Sequence, residues 1–345
     1  MFLRKDCAEC ALLLFLIGIV SCYNMSRPTV FIANPSVPKI AFDILQDVAN
    51  VVSVSGYDRE SILKEVSGAD AIFWASGLKL DKEILDAAGP QLRVVATMSV
   101  GYNHIDLAEL KSRGIPFSNT PRVLDNAVAD MALYLALGAS RRCFEGRQQI
   151  EKGTWKKYFD TQWLLGRDIS GSTVGIIGLG NIGQAIARRL KGFDVARILY
   201  TGHREKAEGK ELGAEFVNLD TLNRESDFVF LAAPLTNETR NICNEEFFSK
   251  MKKTGIIVNI GRGELIDQAA LIKALKTGEI FAAGLDVMTP EPLNTDSELL
   301  TLPNVVLTPH IGSATVDTRN AMAELTAKNI LRGLAGEEMF TPIQL

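Results

Sequence analysis

The stretch Thr173-Val174-Gly175-Ile176-Ile177-Gly178-Leu179-Gly180-Asn181-Ile182-Gly183 constrains this chain more than any other part of it. It reads as a short buried strand that turns tightly on glycines and opens a helix from Ile182 to Leu190. Gly178 permits the tight turn, Gly180 lets the backbone approach a pyrophosphate, and Gly183 lets helix and strand pack closely. The phosphates are then expected on the helix N-terminus, where unpaired N–H groups and the helix dipole favour an anion. A lone G-x-G-x-x-G is weak evidence, but here the strand before it and the helix after it are both in place. The stretch therefore reads as a dinucleotide site rather than a structural glycine turn.

Such a turn belongs to a parallel α/β sheet, and the flanking sequence agrees. Upstream, Thr29–Ala33, Val51–Val54, Ala71–Ala75, Arg93–Met98 and Pro116–Asn119 are strand candidates, with helical segments such as Ile40–Ala49 and Arg59–Val66 between them. Downstream, strands are expected at Arg197–Tyr200, Phe216–Val217, Phe228–Ala232, Gly255–Ile260, Ala282–Val287 and Asn304–Thr308. Apolar strands alternating with helices imply parallel sheets covered on both faces. A length of 345 residues suits two such units. Between them, Asp125–Arg142 is an Ala- and Leu-rich helix, apolar around most of its circumference, as in a helix buried in a large protein or at a subunit interface. Gly153–Gly166, with Trp155, Tyr158, Phe159 and Trp163, has little periodicity and reads as a loop or arm whose aromatics pack. A last long helix, Ala314 to Ala335, comes late enough to run back and complete the first unit.

Charge and cysteines narrow the class. A net charge of -4, with Lys and Arg scattered, gives no electrostatic footprint for nucleic acid or an anionic membrane. Cys143 and Cys243 are far apart and lack metal-ligand spacing, so neither a disulfide framework nor a metal site is expected in the body of the chain. That suits a reduced, cytoplasmic setting. The N-terminus differs: Arg4 and Lys5 precede the apolar run Ala11–Val20, then Ser21 and Cys22, in the form of a secretory signal too short to span a bilayer comfortably. Met25 then opens a stretch that looks like the start of a cytosolic enzyme. Residues 1–24 are accordingly read as a dispensable leader, with a secretory or organelle address, or an anchor, as alternatives.

The cofactor is read from the strand after the glycine turn. An NAD-preferring chain carries Asp or Glu at that strand's tip, about 20 residues after the first glycine. Here the strand ends Ile198-Leu199-Tyr200-Thr201-Gly202-His203-Arg204, without a carboxylate. Gly202 leaves room, and His203 and Arg204 can meet a 2'-phosphate with charge-assisted hydrogen bonds. NADPH is expected, with NAD as the weaker alternative.

Three polar residues follow strand ends in the second half: Arg262 in Asn259-Ile260-Gly261-Arg262-Gly263, Glu291 in Pro290-Glu291-Pro292, and His310 in Thr308-Pro309-His310-Ile311-Gly312. In an open parallel sheet, ligands bind at the carboxyl ends of strands, which would put all three beside the cofactor. An Arg, a carboxylate and a His suit reduction of a 2-keto acid. The Arg pairs with the substrate carboxylate or polarises the keto oxygen, the imidazolium protonates that oxygen, and the Glu favours the charged ring. Proton donation of this kind is typically worth ~10²–10⁴ in rate.

Gly178–Gly183, Asn259–Gly263, Gly284-Leu285-Asp286-Val287 with Pro290-Glu291-Pro292, and Pro309-His310-Ile311-Gly312-Ser313-Ala314 together resemble the D-isomer-specific 2-hydroxyacid dehydrogenases. The match runs from about Thr29 onward, and Met98–Asp106 and Tyr200-Thr201-Gly202 bring it nearest the glyoxylate reductase/hydroxypyruvate reductase branch. The resemblance implies a Rossmann dinucleotide-binding domain inserted in a flavodoxin-like substrate-binding domain. The divisions would be 25–124 and 314–345 for the substrate-binding domain and 125–313 for the Rossmann domain. It implies His310 as proton donor, Glu291 as its partner and Arg262 as the substrate-binding arginine. It further implies that the backbone at Val100 and Gly101 holds the substrate carboxylate, with Asp286 at the nicotinamide end. Leu179 to Asn181, Gly202 to Glu205, Pro234, Ile260 and Gly312 would line the cofactor. A homodimer through the 125–142 helix is implied, with Trp163 a candidate for an aromatic residue reaching a partner's active site. The expected reaction is NADPH-dependent reduction of glyoxylate to glycolate and of hydroxypyruvate to D-glycerate. A bulkier 2-keto acid is the alternative substrate. A dinucleotide-sensing co-repressor is the alternative of another class, disfavoured by the intact Arg262, Glu291 and His310.

Overall fold

The computed structural model describes residues 27–155 and 160–345, so the 1–24 leader and Tyr158 and Phe159 of the aromatic stretch lie outside the described residues. The early chain alternates strand and helix as its apolar runs require: β1 (Thr29–Ile32), α1 (Lys39–Leu45), β2 (Asn50–Ser53), α2 (Arg59–Glu65), β3 (Ala71–Trp74), α3 (Lys82–Ala88), β4 (Val94–Thr97), α4 (Leu107–Ser112) and β5 (Phe117–Ser118). Every residue of β3 and of β4 is buried, the pattern of strands covered on both faces. Asp58, Asp81 and Asp106 cap α2, α3 and α4 by accepting from Ser61, Ile84 and Glu109 N–H, each worth ~1 kcal/mol.

A second, contiguous unit follows, Thr120–Met322. It contains α5 (Asp125–Ser140), α6 (Cys143–Glu151), β6 (Thr173–Ile177), α7 (Asn181–Leu190), β7 (Arg197–Thr201), α8 (Ala207–Leu212), β8 (Ala214–Phe216), α9 (Leu219–Glu225), β9 (Phe228–Leu231), α10 (Glu245–Lys250), β10 (Ile256–Asn259), α11 (Gln268–Thr277), β11 (Ala282–Leu285) and β12 (Val305–Leu307). Its sheet has the order β12-β11-β10-β9-β6-β7-β8, with every pairing parallel. The chain leaves β6 to one side for β7 and β8, then crosses to β9 on the other side. The glycine turn at the end of β6 therefore sits at the topological switch point, where such sheets take their ligands.

The chain's last helix, α12 (Val316–Leu334), and β13 (Pro342–Ile343) carry it back to the first unit, which comprises residues up to Asn119 together with Ala323–Leu345. That sheet has the order β13-β5-β4-β3-β1-β2, a flavodoxin-like arrangement in which β13 alone runs antiparallel, against β5. The fold is thus a Rossmann domain inserted in a flavodoxin-like one.

Helix α5 packs on the second sheet so tightly that a Cβ added to Gly284 of β11 would lie 2.8 Å from Leu135 Cβ and 2.9 Å from its carbonyl. Its exposed residues form the i, i+4 stripe Asn126, Asp130 and Tyr134; Ala127, Met131 and Leu137 are half-buried, and the rest is buried. Arg189 of α7 covers two members of that stripe, pairing with Asp130 at 2.5 Å and with Asn126 Oδ1 at 3.3 Å. Two elements lack a clear sequence signal. Helix α6 (CFEGRQQIE) has a central glycine and no apolar stripe, and it buries none of its residues. Strand β13 begins with proline, which donates nothing to a ladder and fits only an edge. Among the described residues no helix is long and apolar enough to cross a membrane.

Candidate functional site

The glycine turn has the three geometries its spacing demands. Gly178 is left-handed, at φ +95°, and an added Cβ would meet the Ala233 backbone N at 2.7 Å. A Cβ on Gly183 would sit 2.2 Å from the Gly178 carbonyl oxygen, so strand and helix approach with nothing between them. A Cβ on Gly180, by contrast, meets nothing within 4 Å. The open space lies above the turn, at the N-terminus of α7, where a pyrophosphate fits. Leu179 is buried under it, whereas Asn181 is exposed and Ile182 half-buried. At the tip of β7, Gly202 also faces open space and Gly202, His203, Arg204 and Glu205 are all exposed. Glu205 is 3.7 Å from Lys210, and Glu238 is close enough to His203 for the imidazole to help hold its carboxyl below the usual range, after hydrogen bonds from the Thr236 hydroxyl and backbone. Pro234 follows β9, exposed, its carbonyl accepting from Thr239 Oγ1 at 2.7 Å, and Ile260 is buried at the end of β10.

Three neighbouring strands then deliver the charged groups. Asn259, Leu285 and Leu307 stand in register across β10, β11 and β12. Arg262, Glu291 and His310 each follow one of these strand ends. His310 Nδ1 is 2.7 Å from Glu291 Oε2, and Glu291 Oε1 accepts from Met288 N–H at 3.1 Å. A carboxylate only accepts, so Nδ1 carries a proton in this pair and Nε2 is the nitrogen left for exchange chemistry. Burial alone would raise the Glu291 carboxyl. The His310 hydrogen bond and charge, the Met288 N–H and the Arg262 charge together outweigh it and hold the group below its ordinary range. Burial lowers the half-buried Arg262 guanidinium against the pull of Glu291 and Glu264, yet a guanidinium stays charged throughout the working range.

His310 itself is left-handed, at φ +53°, a conformation costing ~1–2 kcal/mol in a residue with a Cβ. Asp286, 2% exposed, sustains it. The Asp286 carbonyl accepts from His310 N–H at 2.8 Å. Its carboxylate accepts from Thr308 Oγ1 at 2.6 Å, Ile311 N–H at 2.9 Å and Gly312 N–H at 2.8 Å. Gly312 is required there, because a Cβ would come 2.9 Å from Asp286 Oδ2. Asn259, fully buried, does the same for the arginine: its Nδ2 donates to the Arg262 carbonyl at 2.8 Å and its Oδ1 accepts from Gly261 N–H at 3.0 Å. Among the described residues no group of three or more His, Cys, Asp or Glu is placed to hold a metal ion.

The family model of the D-isomer specific 2-hydroxyacid dehydrogenase NAD binding domain matches residues 133–312, which span the glycine turn and all three charged groups. This chain belongs to the D-isomer specific 2-hydroxyacid dehydrogenases. It is 46% identical over 318 residues to the glyoxylate reductase of Pyrococcus horikoshii, covering 90% of this chain and 94% of that one. It is 49% identical over 281 residues to the glyoxylate reductase/hydroxypyruvate reductase of Homo sapiens, covering 81% and 85%. A solved structure of the NADPH-dependent glyoxylate/hydroxypyruvate reductase of Sinorhizobium meliloti, in complex with NADP and malonate, superposes with a TM-score of 0.81 at 34% identity, covering 92% of this chain and 97% of that one.

In this 2-hydroxyacid dehydrogenase the fold thus brings Arg262, Glu291, His310 and Asp286 together at adjacent strand ends of the domain that carries the glycine turn. Trp163 lies on the turn after Asp160, half-buried. Among the described residues it makes no hydrogen bond or ring contact with Arg262, Glu291 or His310. Val100 and Gly101 occupy the loop after β4 in the other unit. Sequence reasoning passed over Asn259, although a polar residue closing the otherwise apolar Ile256-Ile257-Val258 run was a visible signal.

Proposed function

We propose that this dehydrogenase reduces glyoxylate to glycolate and hydroxypyruvate to D-glycerate, using NADPH. The observation that carries the reading is the 2.7 Å His310–Glu291 pair, set beside Arg262 on the sheet edge that also carries the dinucleotide turn. The nicotinamide cofactor, when bound, supplies the hydride to the carbonyl carbon. His310 gives the proton on Nε2 to the carbonyl oxygen, and Glu291, ionised and accepting from Nδ1, stabilises the imidazolium before that transfer. Arg262 pairs with the substrate carboxylate or the keto oxygen, and half-burial strengthens its field by excluding water. The Val100 and Gly101 N–H groups take the substrate carboxylate, and Asp286 stands at the nicotinamide end.

NADPH is preferred because the tip of β7 offers Gly202, His203 and Arg204 and no acid. The names of the Homo sapiens and Sinorhizobium meliloti relatives support the substrate class, and the latter's name supports the cofactor. We also read the protein as a cytoplasmic homodimer. Tyr134 of α5 is 57% exposed, and α6, which follows directly, buries no residue and exposes Phe144 (43%) and Ile150 (62%), which supports a partner at the 125–142 helix. Trp163, on the 153–166 stretch that follows, is the candidate aromatic for a partner's site.

The test is NADPH oxidation with glyoxylate, hydroxypyruvate, pyruvate and phenylpyruvate, alongside His310→Ala. Turnover of the first two, lost in His310→Ala while cofactor binding persists, is the expected result. Preference for phenylpyruvate would move the assignment to a bulkier acid, and no turnover with any 2-keto acid would point to a dinucleotide-sensing role. Arg204→Ala should raise KM for NADPH and leave NADH unaffected; equal effects on both would refute the cofactor assignment.

A further inference from the structure

The loop after β4 is held by a set of oriented hydrogen bonds that reaches the far end of the chain. Asn119 Nδ2 donates to the Val100 carbonyl at 2.8 Å, and Ser99 Oγ donates to the Gly101 carbonyl at 2.8 Å. The Thr97 hydroxyl, 1% exposed, stands 3.0 Å from Ser99 Oγ. Asn119 is itself fixed: its carbonyl accepts from Thr341 Oγ1 at 2.6 Å, and that hydroxyl accepts from Asn329 Nδ2 at 2.8 Å. Asn329, fully buried on α12, also accepts from Phe340 N–H at 2.8 Å and Thr341 N–H at 3.3 Å. Strand β13 lies against β5 in the adjoining register, Pro342 opposite Ser118.

In a planar trans peptide the carbonyl and the following N–H point in opposite directions. Holding the Val100 carbonyl on Asn119 therefore turns the Gly101 N–H away from Asn119. Among the described residues neither the Val100 nor the Gly101 N–H has an acceptor. Both are donors in a half-buried loop, where an unpaired N–H is costly unless a ligand or water completes it. We propose that Asn119 is a positioning residue for substrate-carboxylate binding, and that the Asn329–Thr341 relay in the chain's last segment sets its orientation. The inference rests on the reading of this chain as a 2-keto acid reductase. It adds that the specificity for a carboxylate is set partly from residues 329–341, which touch neither substrate nor cofactor.

The experiment compares Asn119→Ala, Thr341→Val and Thr341→Ser with wild type on glyoxylate and on its neutral amide, glyoxylamide, with NADPH. Asn119→Ala is expected to raise KM for glyoxylate by roughly tenfold, with little change in kcat, in KM for NADPH or in turnover of the amide. Thr341→Val should raise the glyoxylate KM by roughly threefold and Thr341→Ser, which keeps the hydroxyl, should restore it. An unchanged glyoxylate KM overturns the proposal, as does an equal loss on acid and amide, which would mean a general packing defect. If Asn119→Ala fails to fold, the Thr341→Val and Thr341→Ser pair decides on the same criteria. Wild-type enzyme that reduces no 2-keto acid would instead refute the underlying reading, and the proposal with it.

Discussion

Glu291→Gln is the sharpest test of the charged pair, because it keeps size and shape and changes one property. Glu291 faces two donors, Met288 N–H at 3.1 Å and His310 Nδ1 at 2.7 Å. A carboxylate accepts from both, whereas an amide has one acceptor oxygen and one donor group. If the Gln oxygen stays on Met288, its NH₂ faces Nδ1 and tolerates the ring only with that nitrogen unprotonated. The imidazolium, protonated on both nitrogens, is then excluded. If the amide flips, the NH₂ meets the Met288 N–H instead. Either way one charge-assisted bond is lost, worth ~1.5–3 kcal/mol. The side chains are 49% and 36% exposed, so solvent screening favours the lower end. A loss of ~1.5 kcal/mol corresponds to roughly tenfold in kcat/KM for keto acid reduction at neutral pH. The assay is steady-state glyoxylate reduction across pH 5 to 9 at saturating NADPH. The variant should be about tenfold slower near pH 7 and recover as pH falls and protons are supplied from solution. A variant with wild-type rate, or a slow one with an unchanged pH profile, would refute the pairing as the source of the proton donor.

Further outcomes follow from the same structure. Gly183→Ala forces a Cβ to within 2.2 Å of a backbone oxygen, so soluble protein should fall or the melting temperature drop by several degrees, whereas Gly180→Ala, facing open space, should fold normally and weaken dinucleotide binding by calorimetry. Asp286→Asn replaces a carboxylate that accepts three hydrogen bonds with a group that has one acceptor oxygen, leaving a buried donor unpaired at ~1–3 kcal/mol. We expect kcat to fall at least tenfold with the His310 loop unseated, and a wild-type kcat would exclude that role. Because the Glu291 carboxyl is held below its ordinary 4.5, its contribution to stability is complete above that value and is lost as pH falls through the lower folded value. The melting-temperature gap between wild type and Glu291→Gln should therefore be fully present above the ordinary carboxyl range and close as pH falls through the lower folded value.

How much of this was legible beforehand depends on how far apart the cooperating residues lie. The glycine turn declared itself, since its strand, turn and helix are contiguous and each glycine answers to a local steric demand. The central strands of both sheets were visible because fully buried parallel strands such as β3, β4, β9, β10 and β11 are largely continuous apolar runs. Arg262, Glu291 and His310 stood out as rare polar groups just past strand ends. The role of the Asp286 carboxylate did not, because its partners at Thr308, Ile311 and Gly312 lie 22 to 26 residues on and meet it only through the β11–β12 pairing. The Asn119–Thr341 bond spans 222 residues and has no sequence signature at all. Helix α6 was missed for the opposite reason: with nothing buried inside the chain, no apolar stripe was needed to mark it.

The return of α12 and β13 to the first sheet has a consequence for how the protein is made. On the ribosome, a domain ordinarily folds as it emerges, the N-terminal one first. Here residues up to Asn119 leave the tunnel early but lack the β13 edge and the buried half of α12, which are translated only after Thr120–Met322. At roughly 5–20 residues per second, they wait on the order of 10–40 s while Thr120–Met322 is synthesised. The dinucleotide domain is contiguous and can close first, so the expected order of folding is the reverse of the order of synthesis. A nascent chain of this enzyme is thus expected to bind its cofactor before its first strands have their final neighbours.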